Sequence, residues 1–214
     1  MLPPADVKLP RPKWLRAIGW TRWGQQAIEW GYGAVPPSLL LVNFLFQRIL
    51  RQNISAPFSV NYRSTVTCGQ NIRAGRRVGA SFALSGGLYV NGIRGVEIGD
   101  GTVIAPNVGI LTTNHDLYDR NLSTEDGPVR IGKNCWIGMN AVILPGVTLG
   151  DNVTVAAGAV VTTSFGSNVV IGGTPARVLK EVTPEAVLAY RQRHGIRQTE
   201  DLLPYLKDQE EGIP

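Results

Sequence analysis

The sequence has little of what would staple it, anchor it or hold a metal. Its 214 residues include two cysteines, Cys68 and Cys135. Their separation fits neither a disulfide framework nor a metal-ligand spacing, so both read as reduced thiols of a cytoplasmic protein. Cys135 falls on a small inward position and reads as structural. No apolar run is long enough to cross a bilayer: the stretch from Leu39 to Leu50 is short and is broken by Asn43, Gln47 and Arg48. The start lacks the apolar core and small-residue cleavage site of a secretory signal. Acidic residues are scarce at one end. Residues 1–80 hold 2 Asp+Glu against 11 Lys+Arg, formally +9, whereas residues 81–214 hold 14 against 10, formally −4. The two halves therefore face different partners. Gly is plentiful at 25 residues, as a corner-rich fold requires, and length and apolar content suit one principal domain.

What the sequence does have is a beat of six. Ile98, Ile104 and Ile110 keep it, and after an interruption Ile131, Ile137, Ile143, Leu149, Val155 and Val161 resume it. Small or aliphatic residues stand two positions earlier at Cys135, Ala141, Val147, Val153 and Ala159, and glycine follows at Gly99, Gly132, Gly138 and Gly150. A period of six is neither helical nor simple alternation, so it describes a coil that returns to the same edge at a fixed interval. Three such sides make one turn of a triangular prism, with turns stacked at about 4.8 Å. Each side alone cannot bury its apolar residue, and stacking supplies the core. The pairs Gly99-Asp100, Lys133-Asn134, Met139-Asn140 and Asp151-Asn152 are expected at the corners. A weaker frame precedes this one through Val60, Val66, Ile72, Val78, Leu84, Val90 and Val96, with a slip of two residues between Val96 and Ile98 that reads as an adjusted corner.

The segments Ile131-Gly132-Lys133-Asn134-Cys135-Trp136-Ile137-Gly138, Ile143-Leu144-Pro145-Gly146-Val147, Leu149-Gly150-Asp151-Asn152 and Gly172-Gly173-Thr174-Pro175-Ala176-Arg177-Val178 resemble the hexapeptide-repeat acyltransferases. Within these the likeness is to sugar O-acetyltransferases of the maltose and galactoside type and their polysaccharide-modifying relatives. It covers residues 60–181 and is strongest from 98 onward. The resemblance implies a left-handed parallel β-helix, an exception to the usual right-handed crossover; spacing alone indicates the coil and not its hand. Three regions follow: a helical, basic, Trp-rich segment 1–59, the coil 60–181 with an extruded loop 114–128, and a helical appendage 182–214.

The interruption contains Asn114-His115-Asp116. A loop extruded from a regular solenoid gains no packing, which makes it a candidate functional site. The matching family histidine is the general base that takes the proton from an acceptor hydroxyl as it attacks acetyl-CoA, and an imidazole suits that task. The resemblance also implies direct transfer, with the backbone amide of Met139 as oxyanion donor. Asp116, Asp119, Glu125 or a main-chain carbonyl could orient His115. Trp136, Ala157, Thr162, Thr163, Arg177 and Lys180 match cofactor-contacting positions, the last two by charge near the nucleotide phosphates. Ser85, Asn91, Asn114, Tyr118 and Asp119 are candidate acceptor contacts, although Leu84-Ser85-Gly86-Gly87 departs from the Asn-containing pattern of the maltose and galactoside enzymes. A homotrimer with sites shared between subunits is implied.

Trp14, Trp20, Trp23 and Trp30 are interleaved with Lys13, Arg16 and Arg22, and on a helix Trp20, Trp23, Ala27 and Trp30 share a face. This segment either caps the open shaft and packs on a neighbouring subunit, or lies, within residues 10–50, on the anionic inner face of a membrane. No nucleic-acid motif accompanies the basic charge. Thr183-Pro184-Glu185 starts a helix ending near His194-Gly195, and a second is expected from Thr199 to Asp208. Among other functions, transfer to an amino sugar, serine or a hydroxylated antibiotic shares the chemistry. A γ-type carbonic anhydrase needs three zinc ligands where only His115 and His194 exist. A non-catalytic scaffold would have no need of His115, Arg177 and Lys180.

Overall fold

The computed structural model describes residues 12–18, 21–124 and 126–193. The chain opens with helices α1 (Lys13–Ile18), α2 (Arg22–Glu29) and α3 (Pro37–Phe44), the last continuing into a π-helical turn, Leu45–Ile49. Thr21 caps α2, its hydroxyl accepting from Gly24 N at 2.9 Å. The expected tryptophan face is only partly realised. Gly24 and Ala27 are the buried residues of α2, Trp23 is exposed beside Trp14, and Trp20 lies outside the described residues. Trp30 turns inward onto Phe58, which stacks on Phe82 at 4.4 Å between ring centroids.

Very short strands follow, distributed over three sheets that the chain visits in rotation. β1 (Thr65–Thr67) and β2 (Ile72–Ala74) enter sheets one and two, and helix α4 (Val78–Leu84) comes next. β3 (Tyr89–Asn91), β4 (Val96–Ile98) and β5 (Val103–Ile104) then occupy sheets one, two and three. β6 (Gly109–Ile110), β7 (Val129–Ile131) and β8 (Trp136–Ile137) repeat the circuit, as do β9 (Val142–Ile143), β10 (Thr148–Leu149) and β11 (Thr154–Val155). β12 (Val160–Val161) closes sheet one, and Phe165 makes a single parallel bridge to Leu149 where sheet two would continue. β13 (Val169–Gly173) and β14 (Ala176–Glu181) finish sheet three, followed by helix α5 (Pro184–Arg193). Every ladder is parallel except β13 with β14.

The register shows why a six-residue period suffices. Ile104, Ile137, Val155 and Ile171 stack in line on sheet three, all buried. Each such side chain contributes roughly 1.5–3 kcal/mol relative to exposure. The second inward position is narrower and takes Cys135, Ala141 or Ala159. Burial drives the Cys135 thiol up to about 11, consistent with an inert packing role.

The weaker N-terminal frame needs correction at Val78 and Leu84. These begin and end α4, not two sides of a coil, and the helix takes the place of the third side in the first turn. Its serine hydroxyl at Ser81 accepts from Ile104 N at 3.2 Å, substituting for a strand. The slip between Val96 and Ile98 comes from the longer corner at residues 92–95, after which both residues point inward on β4.

Corners use positive φ at Asn134, Asn152 and Asn168 between sheets two and three, and at Asn107 and Asn140 between sheets three and one. In the Gly99-Asp100 pair the turn residue is instead Gly101. Gly99 is needed for proximity: a Cβ there would lie 2.6 Å from Gly132 C and Lys133 N of the next coil. Gly132 and Gly150 continue that column with the same close approach, 2.5 Å. Each end of the stack carries a stop on one of its sheets. Asn53 completes the first strand of sheet one, its side chain accepting from Val66 N at 2.7 Å and donating to Ser64 O at 2.8 Å. At the other end β14 reverses direction.

Candidate active site

The loop between β6 and β7 leaves the corner that joins sheets one and two. Buried Thr112 fixes its base, donating to Asn91 O at 2.9 Å and accepting from Arg94 N at 3.0 Å. Above it, Asn114 and Thr124 bond reciprocally, with Thr124 N donating to Asn114 O at 2.9 Å and Asn114 N to Thr124 Oγ1 at 2.9 Å. The Thr124 hydroxyl also bonds Asp126, and His115 bridges Ser123 in antiparallel fashion.

Two nested aspartate turns shape the tip. Asp116 Oδ1 accepts from Tyr118 N at 2.8 Å and Asp119 N at 3.0 Å, while Asp119 Oδ1 accepts from Asn121 N at 2.9 Å and Nδ2 at 3.0 Å. Such side-chain turns suit a segment with no neighbouring strand to bond. The amides of Asp119 and Tyr118 hold the Asp116 carboxyl below its ordinary value. The turns bring Arg120 O to 2.8 Å from His115 Nδ1. A carbonyl only accepts, so Nδ1 carries a proton, and in the neutral ring the lone pair is then on Nε2. The ring is exposed.

Among the described residues the partner of His115 is therefore this main-chain carbonyl, while Asp116 and Asp119 bond backbone and side-chain N–H groups of their own loop. Glu125 lies outside the described residues. A main-chain carbonyl was among the alternatives read from the sequence, but Arg120 could not be named because a carbonyl has no side-chain signature. The Asp-x-x-Asp spacing of Asp116 and Asp119 was the available signal.

A second set of groups collects at the corner joining sheets three and one. Asn140 N donates to Pro106 O at 3.3 Å and Gly158 N to Met139 O at 2.8 Å, so Pro106, Met139 and Ala157 stack on successive coils. The amides of Met139 and Ala157 point to no acceptor among the described residues, and both residues are exposed. Beside this corner, on the outward face of sheet three, Val103, Trp136, Thr154, Val170 and Lys180 share one ladder. Three rungs separate Trp136 from Lys180, roughly 14 Å at the usual strand spacing. Arg177, also on β14, folds its guanidinium back to Ala176 O at 2.8 Å.

The remaining candidates divide. Asn114 and Tyr118 share the loop with His115, and Tyr118 is almost wholly exposed. Thr162 and Thr163 are exposed at the loop's own corner, just past β12. Asn91 sits at the loop's base, its Oδ1 accepting from Ile93 N at 3.0 Å. Ser85 is buried, its hydroxyl donating to Ile104 O at 2.7 Å. One chain thus carries its histidine at the C-terminal edge of sheet one and its free amides at the N-terminal edge, a full six-residue side away, up to about 20 Å.

Parallel three-sheet stacking with a histidine on an extruded loop defines a class, the hexapeptide-repeat proteins. A model described as the hexapeptide repeat of succinyl-transferase matches residues 128–163. Galactoside O-acetyltransferase of Escherichia coli (strain K12) is 42% identical over 117 residues, 53% of this chain and 56% of that enzyme. The chain thus spans little more than half of that relative's length. The "Putative lipopolysaccharide biosynthesis O-acetyl transferase WbbJ" of the same strain is 30% identical over 148 residues, 61% of this chain and 76% of WbbJ. A solved galactoside acetyltransferase in complex with coenzyme A superposes with a TM-score of 0.54 at 26% identity, over 83% of this chain and 86% of that one. The chain belongs to the hexapeptide-repeat acyltransferase family.

Proposed function

We propose that the protein transfers acetyl from acetyl-CoA to a hydroxyl of a sugar, in the assembly of a cell-surface polysaccharide or glycoconjugate on the cytoplasmic side of the membrane. The observation that carries this reading is the bond from His115 Nδ1 to Arg120 O, which leaves Nε2 at the surface as a proton acceptor. Nε2 takes the hydroxyl proton as the oxygen attacks the thioester carbonyl carbon. The resulting oxyanion is received by the amide of Met139. Collapse breaks the carbon–sulfur bond, the imidazolium gives its proton to the departing sulfur, and CoA leaves as the thiol with the imidazole neutral again. The named activities of the relatives, and the coenzyme A bound in one of them, support the donor and the acceptor class.

The coil is left-handed and the working form is a homotrimer in which the loop of one subunit faces the Met139 corner of the next. The separation of the two half-sites within one chain supports that arrangement. In the shared groove Trp136 walls the pantetheine, Ala157, Thr162 and Thr163 contact the cofactor, and Arg177 and Lys180 meet the nucleotide phosphates. Asn114, Tyr118 and Asn91 approach the acceptor from the loop side. Ser85 is directed into the protein and, in this reading, shapes the pocket only by holding Ile104.

The test is release of CoA thiol from acetyl-CoA in the presence of free and nucleotide-linked sugars. The wild-type chain turns over, and His115→Ala loses about 10²–10⁴ in kcat while still binding acetyl-CoA. Undiminished turnover by the variant overturns the assignment.

A further inference from the structure

Helix α3 and its π-turn are built inside out. Asn43 and Gln47, four residues apart and so on one face, are 0% and 5% exposed, while Leu41, Phe44, Leu45, Ile49 and Leu50 are 60, 55, 41, 64 and 64% exposed. A helix on the surface of a globular protein ordinarily shows the reverse. The inward amides are fully employed on the backbone beneath. Asn43 donates to Ala83 O at 3.1 Å and accepts from Tyr62 N at 3.1 Å, and Gln47 donates to Phe58 O at 2.9 Å and Ala56 O at 3.1 Å. The polar face therefore belongs to the fold, and the apolar face is left for something else.

Charge identifies what that is. Arg48 and Arg51 are exposed beside the apolar residues. Glu29 is the sole acid between residues 12 and 80, against nine Lys or Arg. The rest of the chain is net acidic, so Arg48 and Arg51 stand on the cationic part of the sequence, next to the exposed Phe44, Leu45, Ile49 and Leu50. Trp23, Phe44 and Arg48 also line a cleft of about 250 Å³ between α2, α3 and Pro57–Ser59, so the surface has a recess as well as a ridge. Leucines, aromatics and arginines on one exposed face match the interface of an anionic bilayer, with aliphatic groups at the level of the acyl chains and guanidinium groups at the phosphates. Among the described residues no helix is long and apolar enough to cross a membrane, so the contact lies on the surface. We propose that the outward face of residues 41–51 seats the protein on an anionic lipid bilayer. The proposal stands whether or not the acetyl-transfer reading holds.

The full chain is sedimented with vesicles of phosphatidylcholine alone and of phosphatidylcholine with phosphatidylglycerol, at low and high salt, and its mass is followed by light scattering. Binding to the anionic vesicles, reversed by salt, is expected. The variant Leu41→Ser, Leu45→Ser, Ile49→Ser should weaken it about tenfold or more. Arg48→Gln with Arg51→Gln should weaken it on anionic vesicles with the helical spectrum unchanged. Absence of binding by the wild-type chain, or equal binding by wild type and both variants, overturns the proposal. A serine variant that lowers the oligomer mass of a chain that never bound vesicles also overturns it, and assigns the face to a second copy.

Discussion

Replacing Met139 by proline would delete the hydrogen from the amide proposed to receive the oxyanion. The coil already accommodates proline at this level: Pro106 occupies the stacked position one turn below, its carbonyl receiving Asn140 N. The Met139 carbonyl, which receives Gly158 N at 2.8 Å, is retained. Loss of one preorganised donor costs about 10²–10³ in kcat, or roughly 2.7–4 kcal/mol in the transition state. Met139→Ala keeps the amide and should keep the rate. The half-sites are separated within a chain, so a second measurement follows. His115→Ala and Met139→Pro chains, each inactive alone, are denatured together, refolded in equal amounts and assayed for CoA release. If each site takes its histidine from one subunit and its amide from the next, random assembly leaves about one quarter of sites intact. Activity near that fraction of wild type is the expected result. No recovery would refute the shared site, and a fast Met139→Pro enzyme would move the oxyanion donor elsewhere.

Two further tests address the scaffold and the loop. Gly150→Ala forces a Cβ to 2.5 Å from Ser167 N, whereas a Cβ at Gly166 meets nothing within 4 Å. The first should cost about 1–3 kcal/mol and the second should be neutral or gain up to about 1 kcal/mol, read as opposite shifts in Tm; equal shifts would contradict the close stacking. Asp116→Ala should lower kcat by unseating Arg120 O, while Asp116→Asn, whose amide oxygen can still accept from Tyr118 and Asp119, should recover most of it. Because its carboxyl titrates below the ordinary value, the wild-type loop's ordering is fully present above that value, about 3.9, and is lost only as pH falls through the lower folded one. Similar losses in Asn and Ala variants would remove Asp116 from the positioning role.

The interior of the coil was readable because each side repeats one geometric problem. Ile104, Ile137 and Val155 must fill equivalent positions, and a spacing rule follows directly from that. The eighteen-residue turn also predicts the alignment of Met139 with Ala157. Reading failed where an element answered to distant partners. Val78 and Leu84 fit the six-residue frame at both ends, yet the whole segment between them is buried, and what decides for helix is packing on Trp30 and Ile104. Asn43 and Gln47 looked like interruptions of an apolar stretch. They are the side that faces the protein, and only the chain folded beneath them discloses it. The bond from His115 to Arg120 O depends on backbone shape, which Asp116 and Asp119 set together without touching the ring.

A stack of nearly identical parallel rungs is, in principle, a template for its own extension, since the last strand of one molecule could receive the first strand of another. This protein opposes it on one sheet at each end. Asn53 satisfies with one side chain the donor and the acceptor that an incoming strand would use at the first rung of sheet one. Reversal at β14 offers a newcomer a strand of opposite polarity, studded with Arg177, Lys180 and Glu181. Extension is thereby opposed on sheet one at the first rung and on sheet three at the last, and a longer shaft is reached most simply by inserting whole turns between these two stops.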